Sequence, residues 1–174
     1  RDLTGADLAH LDLRGIDLRQ HGSGNLGATN VYRTLGAAAA IVVLLLDALK
    51  GAVPVLAFPS LAQVTGVWWP VAFGVAAIVG HVRPYAGLFK GGGKGVATAA
   101  GVLFALNPLL GVATLATFAI LVYFTRLVSL GSIVAALFAP LYEALIWDMG
   151  PIVGAAGLMG LLLVWRHEAN IKRL

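Results

Sequence analysis

Cysteine is absent from this chain of 174 residues. That excludes a disulfide framework, thiolate metal ligation and a cysteine nucleophile. Charge is scarce as well. Asp, Glu, Lys and Arg make up 11% of the residues, where a soluble domain carries about 25%. Hydrophobic residues reach 59%. This balance excludes intrinsic disorder and argues against a water-soluble globule. Acids are the rarer sign, 8 against 12 basic residues, which leaves a net charge of +4.

What is present is apolar sequence in long blocks. Residues 51–82 and 95–125 contain no Asp, Glu, Lys or Arg, and neither do 127–142 and 149–165. A soluble surface helix needs a polar face, whereas about 20 apolar residues cross a hydrocarbon core. The pattern predicts an all-α fold: a polytopic membrane helical bundle with short or broken helices. Candidate spans are 35–58, interrupted by Asp47 and Lys50, then 61–82, 127–147 and 151–165. Residues 96–124 allow two counts. They form one long tilted helix, or they break at Asn107-Pro108, where proline removes a donor and asparagine caps. Pro70 marks a kink in the second span, and Gly150, Gly154, Gly157 and Gly160 predict close helix approach in the last.

Residues 1–20 differ from the rest. Asp2-Leu3, Asp7-Leu8, Asp12-Leu13 and Asp17-Leu18 recur every five residues, as in a pentapeptide repeat. Four such units make one coil, too little to bury a core. This polar leader has no apolar run of signal-peptide type and is expected to lie outside the core, which starts at residue 21. The first residue is Arg1 rather than Met, as expected of a truncated or processed chain.

Polar residues are costly in an apolar protein, so their clustering is informative. One island runs from His21 to Arg33 and holds Ser23, Asn25, Thr29 and Asn30. A second holds His81, Arg83 and the run Lys90-Gly91-Gly92-Gly93-Lys94-Gly95. A third holds Arg166, His167, Glu168, Asn170, Lys172 and Arg173. All three are basic and are expected on the cytoplasmic side. An even number of crossings must then separate them, so 96–124 is two short crossings or one segment is re-entrant.

The chemistry of each island follows from its donors. Gly91-Gly92-Gly93-Lys94-Gly95 offers unobstructed backbone N–H groups, a cation and the start of a helix, which together favour a phosphate. It is not a Walker A loop, because Gly95 stands where a magnesium-binding Ser or Thr belongs. Gly22-x-Gly24-x-x-Gly27 has dinucleotide spacing but opens onto an apolar helix without a preceding strand. It reads better as a second anion nest. Ser23, Asn25, Thr29 and Asn30 are its neutral donors and Arg33 is a fork for phosphate. His167 and Asn170 share a helix face, where a histidine can move a proton. His81 reads as a residue that fixes a helix end. Asp47 and Lys50 pair with each other or hold the polar site together. Ser129 and Ser132, beside Arg126, read as helix-backbone hydrogen bonders.

Together these motifs closely resemble the PlsY family, the acyl-phosphate:glycerol-3-phosphate acyltransferases of bacterial membranes. GSGNLGATNVYRTLG at 22–36 is similar to the family's first motif, FKGGGKGVAT at 89–98 to the second and RHEANIKRL at 166–174 to the third. DALKG at 47–51, GH at 80–81 and TRLVSLGS at 125–132 also match. The chain departs from the family in three ways. Its polar leader stands where the family has a further helix, its loop has three glycines before Lys94, and the third motif stops at Leu174.

The resemblance implies a membrane acyltransferase domain over 21–174. The implied reaction moves a fatty acyl group from acyl-phosphate to the 1-hydroxyl of glycerol 3-phosphate, giving lysophosphatidate and phosphate for phospholipid synthesis in the bacterial inner membrane. Its partners are then glycerol 3-phosphate, acyl-phosphate and membrane lipid, with no nucleic acid. Ser23, His167 and Asn170 are the implied catalytic residues. Asn25, Thr29, Asn30, Arg33, Gly91, Gly92, Gly93, Lys94, Gly95 and Ser132 are the implied substrate-binding residues. An acyl-phosphate is already activated, so positioning and charge neutralisation suffice without a covalent nucleophile. No cofactor and no metal are expected, since Glu168 is the one acid in the three islands, read as partner to a nearby Arg. Two rival readings are a transporter for phosphorylated solutes and an inactive membrane scaffold.

Overall fold

The computed structural model describes residues 17–83, 92–146 and 150–172. The first three units of the five-residue repeat, within residues 1–16, and Gly91, expected to bind substrate, lie outside the described residues. The described residues form a short 3-10 turn at Leu18–Gln20 and eight helices, with no strand among them. These are α1 (Ala28–Leu35), α2 (Ala37–Leu61), α3 (Trp68–Val82), α4 (Val96–Leu106), α5 (Pro108–Thr125), α6 (Val128–Ile146), α7 (Pro151–Arg166) and α8 (Glu168–Ile171).

Three of these helices, α2, α5 and α6, are long and apolar enough to cross a membrane. Their large side chains point outward: Leu45, Leu46 and Leu56 of α2 and Leu145 of α6 are all more than half exposed. Such faces suit a surrounding of lipid rather than water. The core between helices is built from small and branched residues, including Val55, Ile78, Val82, Val102, Leu110, Ala139, Ala156 and Met159.

Close helix contact depends on glycine where two backbones meet. A Cβ on Gly101 of α4 would fall 2.0 Å from the Ala48 carbonyl oxygen of α2, and one on Gly51 would fall 2.2 Å from Thr98 O. In α7 only Gly160 plays this part, with a hypothetical Cβ 2.8 Å from Ala136 O. Gly150, Gly154 and Gly157 face open space, which corrects the expectation that the whole stripe packs.

Residues 96–124 are two helices. Asn107 is the N-cap of α5, its side chain accepting from the N–H groups of Leu109 and Leu110, and Pro108 takes the first helical position where no N–H is missed. At 11 residues, α4 is about 17 Å long, well short of a hydrocarbon core. The second span also starts later than predicted. Gln63 and Gly66, both with positive φ, form the connection, and Pro70 lies in the first turn of α3 without kinking it. Pro54 and Pro59 instead sit inside α2.

Candidate active site

The first polar island is a turn shaped by its own side chains. Asn30, at 2% exposure, accepts from Ser23 N–H at 2.8 Å. Its amide donates to Leu18 O at 3.2 Å and to His21 O at 3.0 Å. Gly22 has φ +59, and a Cβ there would fall 2.3 Å from Asn30 Oδ1, so only glycine admits the amide. Both amide hydrogens of Asn30 are thereby engaged. Asn30 therefore shapes the loop, which corrects the expectation that it donates to phosphate. Asn25 accepts from Gly27 N–H at 2.8 Å, closing a second turn before α1.

The second island ends in Lys94 and in Gly95, which adopts φ +87 as the N-cap of α4. Lys94 Nζ donates to Asn170 Oδ1 at 2.5 Å, joining the glycine loop to the third island. Asn170 itself is set by the turn that follows α7. His167 caps that helix, and its Nδ1 lies 2.8 Å from Leu163 O. A carbonyl only accepts, so Nδ1 carries the hydrogen and Nε2 is left as an acceptor. Burial pushes the His167 pKa down, the bond to Leu163 O opposes this, and the nearby charges of Lys94 and Arg166 push it down further. Glu168 pairs with Lys172 at 2.6 Å, one helical turn away, rather than with an arginine.

These groups meet around one cavity of about 390 Å³. Ser23, Asn25, Thr29, Asn30, Arg33, Lys94, Gly95, Ser132, His167 and Asn170 all border it. Gly92 and Gly93 do not; they lie behind Lys94, against the end of α3. Arg126 and Ser129 also border the cavity. Arg126 caps α5 with φ +60, a strained position for a side-chain-bearing residue, and its guanidinium lies 5.5 Å from the Tyr123 ring. The sequence signal for it was a cation beside two serines. Ser132 donates to Val128 O at 2.8 Å, the backbone bond expected of a helical serine in lipid. The far wall is apolar, with Leu103, Leu115, Phe118, Ala135, Ala139 and Met159.

Convergence on one cavity fixes the helix directions. The ends of α3, α5 and α7 and the starts of α2, α4 and α6 gather at the polar end, so each helix leaves it or returns to it. Two helices separate the first island from the second and four separate the second from the third, the even count that the charge pattern requires. Asp47 lies on the same wall, paired with Lys50, and its Oδ1 is 3.6 Å from His81 Nδ1.

The chain resembles proteins of known kind over nearly all of this structure. Residues 5–174 match the family described as glycerol-3-phosphate acyltransferase. The glycerol-3-phosphate acyltransferase of Paraburkholderia xenovorans is 45% identical over 172 residues, covering 91% of this chain and 74% of that protein. The Bacillus subtilis enzyme of the same name is 44% identical over 161 residues, covering 92% of this chain and 81% of that protein. The crystal structure of PlsY, an integral membrane glycerol 3-phosphate acyltransferase, in its glycerol 3-phosphate form superposes with a TM-score of 0.85 at 39% identity, covering 92% of this chain and 80% of that one. Its lysophosphatidic acid form gives a TM-score of 0.82 at 38% identity, with 93% and 80% covered. The family match over residues 5–174, the shared helical architecture and this level of identity place the chain in the glycerol-3-phosphate acyltransferase family.

Proposed function

We propose that the chain transfers a fatty acyl group from acyl-phosphate to the 1-hydroxyl of glycerol 3-phosphate, releasing lysophosphatidate and inorganic phosphate. One observation carries this reading: cations and hydrogen-bond donors from four separate stretches at or near helix ends border one cavity, and side chains from within α4 to α7 give it a largely apolar wall. Both substrates bring a phosphate to the polar end, and the acyl chain takes the apolar wall.

Arg33, Lys94 and Arg126 supply positive charge, and the N-terminus of α4 adds its dipole beside Lys94. Ser23, Asn25 and Thr29 donate to phosphate oxygens or to the carbonyl oxygen as it gains charge. His167 accepts a hydrogen bond from the glycerol hydroxyl through Nε2, and Asn170 holds Lys94 in reach of the phosphate. The hydroxyl oxygen attacks the acyl carbon. The bond from that carbon to the phosphate oxygen then breaks, phosphate leaves with the electron pair, and the hydroxyl proton passes to that phosphate, directly or by way of His167 Nε2. By the positive-inside rule the polar end lies in the cytoplasm of a bacterial inner membrane.

The test uses the purified chain with a soluble acyl-phosphate and labelled glycerol 3-phosphate. Arg33→Ala and Lys94→Ala should each lower kcat/KM by about 100-fold or more while the helical spectrum is kept. Wild-type turnover in both variants would mean that the site is elsewhere. Uptake of glycerol 3-phosphate into liposomes without acyl product would favour transport instead.

A further inference from the structure

The glycine loop is held from two sides by residues that the reaction itself does not call for. On one side stands Arg166, the last residue of α7. Its Nη2 donates to Gly92 O at 3.3 Å and to Gly93 O at 3.4 Å. In a planar trans peptide the N–H points opposite to the C=O. Drawing those two carbonyls toward Arg166 therefore turns the N–H groups of Gly93 and Lys94 the other way. Arg166 is not on the cavity wall, so it acts on the loop from behind.

On the other side stands His81, in the last turn of α3. A Cβ on residue 93 would fall 2.1 Å from His81 Nε2 and 2.8 Å from its Cε1, so the imidazole fills the space that glycine leaves. Gly92 rests on the same helix end, where a Cβ would fall 2.1 Å from Val82 O. The ring is buried, with Asp47 Oδ1 3.6 Å from its Nδ1. Asp47 comes from α2 and is itself neutralised by Lys50. A buried carboxylate beside a buried imidazole is costly to keep without a task. Here the task is available: fixing the ring against which the loop rests.

We propose that Arg166, His81 and Asp47 are positioning residues that clamp the glycine loop and so deliver Lys94 to the phosphate. This rests on the reading of that loop as a phosphate site. Three helices, α2, α3 and α7, meet at the loop through these side chains. A displacement of the loop by an ångström would misplace the ammonium, whose partner Asn170 lies only four residues beyond Arg166.

The test compares Arg166→Ala, His81→Ala, Asp47→Asn and the double variant His81→Ala with Asp47→Asn, all in the full-length chain. Steady-state kinetics against glycerol 3-phosphate and inhibition by added inorganic phosphate are measured, with thermal unfolding as the check on folding. Arg166→Ala and His81→Ala should raise KM and the inhibitory phosphate concentration together by about tenfold, with kcat changed by less than about threefold. Asp47→Asn should move KM in the same direction alone and add nothing to His81→Ala, because it acts through that ring. If one variant fails to fold, the other still decides the matter. An unchanged KM and phosphate inhibition in folded variants, while Lys94→Ala raises both, would overturn the clamp and leave the loop reading standing. If Lys94→Ala also leaves both unchanged, the loop reading falls and the clamp with it.

Discussion

His167 and Leu163 are locked together by a 2.8 Å bond from Nδ1 to the carbonyl oxygen four residues earlier. This fixes the tautomer and leaves Nε2 as the acceptor. Acyl transfer should therefore need the neutral ring. Burial, the leading cause, holds its pKa below the usual imidazole value of about 6.5. The rate should be flat near pH 7 and fall only as pH drops through that depressed value. An acidic limb of kcat/KM lying above pH 6.5 would contradict it. Stability follows the same sign. The native ring binds fewer protons than the unfolded one between the depressed value and about 6.5, so stability rises with pH across that window and is complete above it.

Asn107 and Glu143 form the corresponding fixed point at the far end. Asn107 Nδ2 donates to Glu143 Oε2 at 3.1 Å, while its own oxygen caps α5. Asn107→Ala removes the cap and strips a buried carboxylate of its donor. The expected cost is about 2 kcal/mol or more, read as a lower melting temperature in detergent. Glu143→Gln retains an acceptor and should cost less. Equal losses in the two variants would show that the bond to the Glu143 carboxylate, and not the cap, carries the cost.

The contact of Gly101 with Ala48 makes a sharper prediction about packing. Gly101→Ala places a methyl against a backbone carbonyl that cannot move without shifting α2, and should destabilise by about 2 kcal/mol. It should also lower activity, because α2 carries Asp47 one residue before Ala48. Gly157→Ala is the control. Its surroundings are open, so the higher helix propensity of alanine should give no loss and up to about 1 kcal/mol of gain.

The helical class and the three polar islands were legible because charge-free runs and glycine-rich turns are one-dimensional signals. The break at Asn107-Pro108 was legible as one of two options, since hydropathy is the same for a straight helix and a folded one. What remained hidden depends on who meets whom. Nothing in the spacing of Asn30 reveals that Leu18 and His21 take both of its amide hydrogens. Nothing in the glycine stripe of α7 says that Gly160 alone meets a neighbouring backbone. His81 read as a helix-end residue, which it is, but its place under Gly93 arises only when α3 and the glycine loop are brought together.

The residues of the three polar islands that border the cavity lie at one end of the bundle, and the greasy wall of the cavity leads away from them. On the proposed reaction, the newly joined molecule is made with its head and tail already arranged as they will be among neighbouring lipids. Departure is then a sideways slide into the leaflet that supplied the acyl donor. Moving that product to the opposite leaflet becomes the work of some other protein.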